Sequence, residues 1–352
     1  MNTSISRRRL LAAALAGGAA WLAGCSARIG PPPGPEGRID DARRAPAPGV
    51  LQRREGYAFV EADWRDAARG HEVPVRLYLP ADAARGAPLP LVLFSHGLGG
   101  SRRGYSYLGS HFARHGFASL HVQHVGSDRA LWSGSPFELA GRLQAAARDA
   151  EAIDRVADLR FALDRLLALD AGDPLRFTVD RARVIAAGHS YGANTALLAS
   201  GARVERDDRK VDLRDARIAA AILMSAPPFY GAGEPGRILR PVTLPTLHVT
   251  ATGDDIRIPG YYSSVEDRVA LFEAAGSARK ALAVFRGGSH SIFTDRLSTG
   301  GAELNPRVKR ATQELSLAFL DSVLDGRHDA LRDWPQRHQE ILARFDKRPA
   351  LA

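Results

Sequence analysis

The stretch of this chain best suited to chemistry is Gly188-His189-Ser190-Tyr191-Gly192. A serine hydroxyl attacks a carbonyl only when a neighbouring base takes its proton and an acid holds that base in one orientation. The two glycines fit a turn so tight that side chains two positions either side of the serine would collide, with the serine itself strained. Before it, Arg183-Val184-Ile185-Ala186-Ala187 reads as a short buried strand. After it, Ala193-Asn194-Thr195-Ala196-Leu197-Leu198-Ala199 consists mostly of good helix formers. Strand, sharp turn and helix, with N-terminal amides facing the serine, is the setting in which G-x-S-x-G presents a nucleophile for acyl transfer. With 34 glycines in the chain the string alone arises by chance, so the reading rests on this setting and on partners elsewhere.

On such an elbow the acid follows the serine and the histidine follows the acid. Of eleven histidines, only His290, His328 and His338 follow a plausible acid. His328 and His338 sit in polar, helical-looking surroundings far beyond the strand Ala281–Phe285, which reads as the last one. His290 lies in Gly287-Gly288-Ser289-His290-Ser291, directly after that strand, and is the expected base. Among the acids, Asp207, Asp208, Asp212 and Asp215 belong to a mixed-charge run with Arg203, Arg206, Arg209 and Lys210, which reads as solvated surface. Asp254 and Asp255 instead end a strand, in Ala251-Thr252-Gly253-Asp254-Asp255. Asp254, the first beyond the turn, is the expected acid, with Asp255 the alternative. Two backbone N–H groups are needed for the developing oxyanion: Tyr191 supplies one, and Leu98 in the loop Ser95-His96-Gly97-Leu98-Gly99-Gly100 the other. That loop lacks the glycine spacing of a nucleotide cradle.

Stepping out from these residues, the elements that must carry them alternate between apolar runs and helical patterns. Tyr57–Leu79 reads as an antiparallel hairpin at a sheet edge, with Val73–Leu79 alternating like a half-exposed strand. Pro90–Ser95 is a continuous apolar run, as expected of a parallel strand covered on both faces, and Phe117–Val122, Ala219–Met224, Thr246–Thr250 and Ala281–Phe285 read as further strands. Tyr105–His115, Phe137–Leu169 (one or two helices), Val265–Ala275 and Arg307–Leu324 read as helices, and a charged segment to Phe345 is expected over an edge. The pattern predicts an α/β fold with a mostly parallel central sheet, flanking helices and an antiparallel N-terminal edge hairpin, binding ligands at the strands' carboxyl ends.

The chain has 352 residues, 45% of them hydrophobic, enough for one large α/β domain or two small ones. The net charge of +9 is mostly arginine interleaved with acids. No basic block alternates with aromatics, so nucleic-acid binding is not indicated. Residues 1–24 read as a targeting segment: Arg7-Arg8-Arg9 is a twin-arginine-like charged region, followed by an apolar stretch too short to span a bilayer. Leu22-Ala23-Gly24-Cys25 resembles a bacterial lipobox, which predicts lipidation of Cys25, the only cysteine. Ser26 after it resembles lipoproteins sorted to the outer membrane. The expectation is a protein held by its lipid anchor at the membrane of the bacterial envelope, with residues 25–54 as a Pro/Gly-rich tether and 55–346 as the folded domain.

With elbow, strand-end acid, strand-end histidine and oxyanion loop in order, residues 55 to 325 resemble the α/β-hydrolase superfamily. More narrowly, they are similar to its platelet-activating-factor acetylhydrolase and dienelactone-hydrolase-like branch. The stretches carrying the resemblance are Phe94–Gly99, Ala113–Phe117, Gly188–Gly192 and Gly288–His290. Two features depart from that branch. The mammalian acetylhydrolases carry their acid one strand earlier, where this chain has Met224-Ser225-Ala226, and dienelactone hydrolase uses a cysteine nucleophile. The resemblance implies a cofactor-free, metal-free serine esterase acting on short-acyl or lipid-like esters. Tyr105, Trp132 and Phe229 are its candidate pocket residues. An amide or polyester hydrolase of the same fold and a non-catalytic envelope lipoprotein remain the alternatives.

Overall fold

The computed structural model describes residues 48–351 apart from 84–86, 170–172, 174–176, 207–208, 259–260 and 297–298. The targeting segment, Cys25, most of the tether, Asp207 and Asp208 lie outside the described residues.

In chain order, β1 (Gln52–Arg54), β2 (Tyr57–Asp66), β3 (His71–Pro80) and β4 (Leu89–Ser95) lead into helix α1 (Ser106–Arg114) and β5 (Ala118–Val122). Helices α2 (Leu139–Ala146) and α3 (Asp149–Leu167) precede β6 (Val179–His189) and the elbow helix α4 (Tyr191–Ala199). The hairpin β7 (Arg203–Arg206) and β8 (Arg209–Asp212) is followed by β9 (Ile218–Met224), the short α5 (Pro235–Leu239) and β10 (Thr246–Gly253). A second hairpin, β11 (Ile256–Ile258) and β12 (Tyr261–Ser263), leads to α6 (Val265–Ala274), β13 (Lys280–Ser289), α7 (Gly301–Asp325), α8 (Asp329–Arg337) and β14 (Leu342–Lys347).

Ten strands form one sheet in the order β1-β2-β3-β5-β4-β6-β9-β10-β13-β14. The run from β5 to β13 is parallel, and pairing is antiparallel at both ends. This is the α/β-hydrolase fold. The apolar run of β4 follows from cover on both faces, because successive side chains of a strand point to opposite sides. Leu91 and Leu93 join the layer beneath α3 and α4, while Val92 and Phe94 join the layer beneath α1, α7 and α8. Each such leucine or valine taken fully from water contributes about 1.5–3 kcal/mol before the entropy of ordering is counted. Folded structure continues past residue 346, since β14 runs to Lys347 and Leu351 is buried.

Two expectations are corrected. β3 is not a half-exposed edge strand: it lies between β2 and β5, and β1 forms the edge. Its polar alternates are buried because Arg76 donates from Nε to Glu61 Oε1 at 2.9 Å and stacks on Phe59, its guanidinium carbon 4.5 Å from the ring centre. Nor is β13 the last strand. The charged segment near the C-terminus includes β14, which pairs antiparallel with β13 and ends the sheet. Only one side of an edge strand needs a hydrogen-bonding neighbour, so the charges of Arg344, Asp346 and Lys347 are tolerated there.

Candidate active site

The elbow is built by close backbone approach. β6 ends at His189, Ser190 adopts φ 55° and ψ −125°, and α4 begins at Tyr191. A Cβ on Gly188 would stand 2.2 Å from the Gly192 carbonyl oxygen, and one on Gly192 would stand 2.0 Å from that of Ser95. Any side chain at either position would force the strand, the helix or the end of β4 apart. A left-handed φ at a residue other than glycine is costly, and it persists because the Ser190 amide donates to Met224 O at 2.9 Å and its carbonyl accepts from Ala193 N at 2.8 Å.

His290 opens a short 3-10 turn, His290–Phe293, directly after β13. Its Nε2 lies 2.8 Å from Ser190 Oγ and its Nδ1 lies 2.7 Å from Asp254 Oδ1. The proton on Nδ1 therefore points at the carboxylate, leaving Nε2 to accept from the serine hydroxyl. Asp254 follows β10, is fully buried, and accepts a second bond on Oδ2 from Thr250 Oγ1 at 2.6 Å. Burial alone would raise its pKa. The hydrogen bond and charge of His290, with Arg268 Nη2 at 3.4 Å, instead hold its carboxyl well below the usual carboxylate range. Asp255 points elsewhere, pairing with Arg257 at 2.8 Å.

The loop Ser95–Gly100 lies against the elbow: a Cβ on Gly97 would be 3.3 Å from Ser190 Cβ. Among the described residues, neither the Leu98 nor the Tyr191 amide donates to a backbone carbonyl. The Tyr191 amide lies at the N-terminus of α4, where helix amides favour negative charge.

The three aromatic candidates separate. Trp132 donates from Nε1 to Gly99 O at 2.9 Å, and its ring lies where a Gly99 side chain would be. Phe229 packs, partly buried, against the core layer of α3 and α4. Tyr105 is 4% exposed, and its hydroxyl lies 2.8 Å from His189 Nδ1 and 3.4 Å from Gly97 N. An aromatic at a strand-end loop shows no direction in sequence, and this ring turns inward.

Sequence reasoning passed over His189 itself. Its Nε2 donates to His290 O at 2.9 Å, so Nδ1 accepts from the Tyr105 hydroxyl. Burial first, then the nearby His290, pushes its pKa down to about 3, so it stays neutral and serves as a strut under the His290 backbone. The only sequence signal was its place inside the elbow string.

A second Ser-His-Asp set also lies outside the sequence reading. Ser95 Oγ is 2.9 Å from His124 Nε2, and His124 Nδ1 is 2.9 Å from Asp158 Oδ2. All three residues are 1% exposed or less, and Asp158 also pairs with Arg69 at 2.7 Å. Among the described residues no group of three or more His, Cys, Asp or Glu is placed to hold a metal ion.

Comparisons with known proteins agree with the fold. Residues 73–134, which include the Leu98 loop and Trp132, match the family model "Platelet-activating factor acetylhydrolase, isoform II". Over 268 residues, 68% of this chain, the sequence is 25% identical to the platelet-activating factor acetylhydrolase of Cavia porcellus. The match spans 58% of that protein's length. A solved ferulic acid esterase from Streptomyces cinnamoneus superposes with a TM-score of 0.55 at 22% identity, covering 86% of this chain and 98% of the other. The chain is an α/β-hydrolase by fold, and over residues 73–134 it is similar to the platelet-activating factor acetylhydrolase family.

Proposed function

We propose that this protein is a serine-dependent carboxylic ester hydrolase, acting on short-acyl or lipid-like esters. The reading is carried by the relay from Ser190 Oγ through His290 to Asp254, with spacings of 2.8 and 2.7 Å. Ser190 Oγ attacks the ester carbonyl carbon as His290 Nε2 takes the hydroxyl proton, and the carbonyl electrons move onto an oxygen facing the Leu98 and Tyr191 amides. Asp254 stabilises the resulting imidazolium without taking its proton. Collapse of the tetrahedral adduct breaks the ester C–O bond, and the leaving alkoxide takes the proton from Nε2. Water, deprotonated by His290, then attacks the acyl-serine; collapse breaks the bond to Ser190 Oγ, which takes the proton back from Nε2, and the acid product leaves. The similarity to platelet-activating factor acetylhydrolase around the oxyanion loop supports a short acyl group on a lipid-like alcohol. The lipobox-like segment at Cys25 supports export and a lipid anchor in the envelope, which would place the site close to such substrates.

The test is a p-nitrophenyl ester series from acetate to octanoate, run beside the corresponding anilides and a fluorophosphonate probe. Ester turnover falling with chain length, together with a covalent adduct on Ser190, is expected. Anilide turnover exceeding ester turnover would move the reading to an amidase. A folded protein that neither turns over esters nor reacts with the probe would leave only the non-catalytic reading.

A further inference from the structure

We infer that Arg155 is a positioning residue that holds the two halves of the oxyanion hole in register; the assignment rests on the ester-hydrolase reading above. Arg155, on α3, is fully buried. It donates from Nε to Thr195 Oγ1 at 3.0 Å, from Nη1 to Ser127 Oγ at 2.6 Å, from Nη2 to Ser95 Oγ at 3.1 Å, and from Nη2 to the His96 carbonyl. Every one of these acceptors is a neutral oxygen. Burying a guanidinium costs several kcal/mol unless it is well bonded, so a site retaining one with this donor pattern makes particular use of its planar fork.

The acceptors belong to the segments that carry the two amides. Ser95 and His96 begin the loop that presents Leu98, and Ser127, whose carbonyl accepts from Gly99 N at 2.8 Å, holds that loop from its other end. Thr195 lies on α4, and its hydroxyl in turn donates to Tyr191 O at 3.0 Å. The guanidinium carbon also lies 4.5 Å from the centre of the Tyr191 ring. One rigid group therefore spans the gap between loop and helix. The buried Ser95-His124-Asp158 relay is its counterpart: with the Nδ1 proton given to Asp158, His124 Nε2 accepts the Ser95 proton, and the Ser95 oxygen is turned to accept from Arg155. Burial pushes the Arg155 pKa down to about 10, still well above neutrality, so the fork stays fully protonated.

Arg155→Lys keeps the charge but loses the fork. With p-nitrophenyl acetate it should lower kcat about 100-fold while KM stays within about threefold, since a misplaced oxyanion donor weakens the transition state and not ground-state binding. In Arg155→Ala, added guanidinium should restore kcat at least about tenfold, a rescue that general loss of packing would not give. Wild-type protein, assayed for turnover and fluorophosphonate labelling, is the control. If it is inert, the ester-hydrolase reading falls and this assignment with it. If it is active and the folded Arg155 variants match its kcat, the assignment alone is overturned. Should both variants fail to fold, Thr195→Val decides: a kcat loss of about threefold or more at unchanged KM supports the clamp, and an unchanged kcat overturns it.

Discussion

Two Ser-His-Asp relays run through this molecule with nearly the same bond lengths and different surroundings. In the outer one, Ser190 is 9% exposed, carries a left-handed φ of 55° and sits at the N-terminus of α4. In the inner one, Ser95 ends a regular strand at 0% exposure, and Arg155 occupies its oxygen as a donor. The hydroxyl of Ser190 donates to His290 and receives no bond from a cationic donor among the described residues. That of Ser95 has its lone pair bound to a cation and no room for a substrate. Residue types and hydrogen-bond lengths therefore do not by themselves make a nucleophile. Exposure and backbone strain are what differ between the two, and the proposed ester hydrolase assigns the reactive role to the more exposed, strained serine.

The strongest way to break this contrast is to remove each serine in turn. Ser190→Ala should lower kcat by roughly 10⁴- to 10⁶-fold and abolish fluorophosphonate labelling. Ser95→Ala should keep labelling and retain kcat within about tenfold, since it loses one bond of a brace. Labelling that disappears with Ser95 and survives without Ser190 would reverse the two assignments. The acids give a second, somewhat smaller contrast. Asp254→Asn should cost kcat about 10⁴-fold by turning His290 to the wrong tautomer, with little change in melting temperature beyond a few degrees. Asp158→Asn should spare kcat to within about tenfold. It should cost about 1–3 kcal/mol of stability through weakened bonds to Arg69 and His124, read as a lower Tm. Equal kinetic penalties for the two acids would remove the distinction.

What could be read from the sequence were the positions that backbone geometry constrains. Glycine was required at 188 and 192 because a Cβ there would meet backbone at about 2 Å. Central strands such as β4 and β9 showed themselves as largely apolar runs because both faces are covered. Residues 254 and 290 stood out because each directly follows a strand that reads clearly. What escaped notice depends on direction, which a string of letters does not carry. Arg76 and Glu61 neutralise one another inside the sheet, so β3 alternates like an exposed strand while being buried. β14 is half charged because it is an edge. Tyr105 turns inward to His189, and Ser95, His124, Asp158 and Arg155 meet only after strands and a helix fold together.

The smallest effect concerns the histidines, and it separates bracing from reacting groups by stability. Burial pushes His121, His189 and His248 down to about 3, and His96 and His124 well below their ordinary value. In the unfolded chain these rings take up protons below about pH 6.5, whereas in the folded chain they stay neutral. The unfolded state then binds more protons, so stability is full above that pH and is lost as the pH falls, by about 1.4 kcal/mol per pH unit for each ring. Asp254, held low, adds to the loss once the pH falls below the ordinary aspartate range; Glu151, Asp158 and Asp295, raised by burial, act in the opposite sense. Urea titrations between about pH 6.5 and pH 4 should therefore show a steep decline, and His124→Gln should flatten it by about 1.4 kcal/mol per pH unit. An unchanged slope in that variant would mean that His124 gains its proton in the folded state. The inner relay would then not be the neutral brace that sets it apart from the outer one.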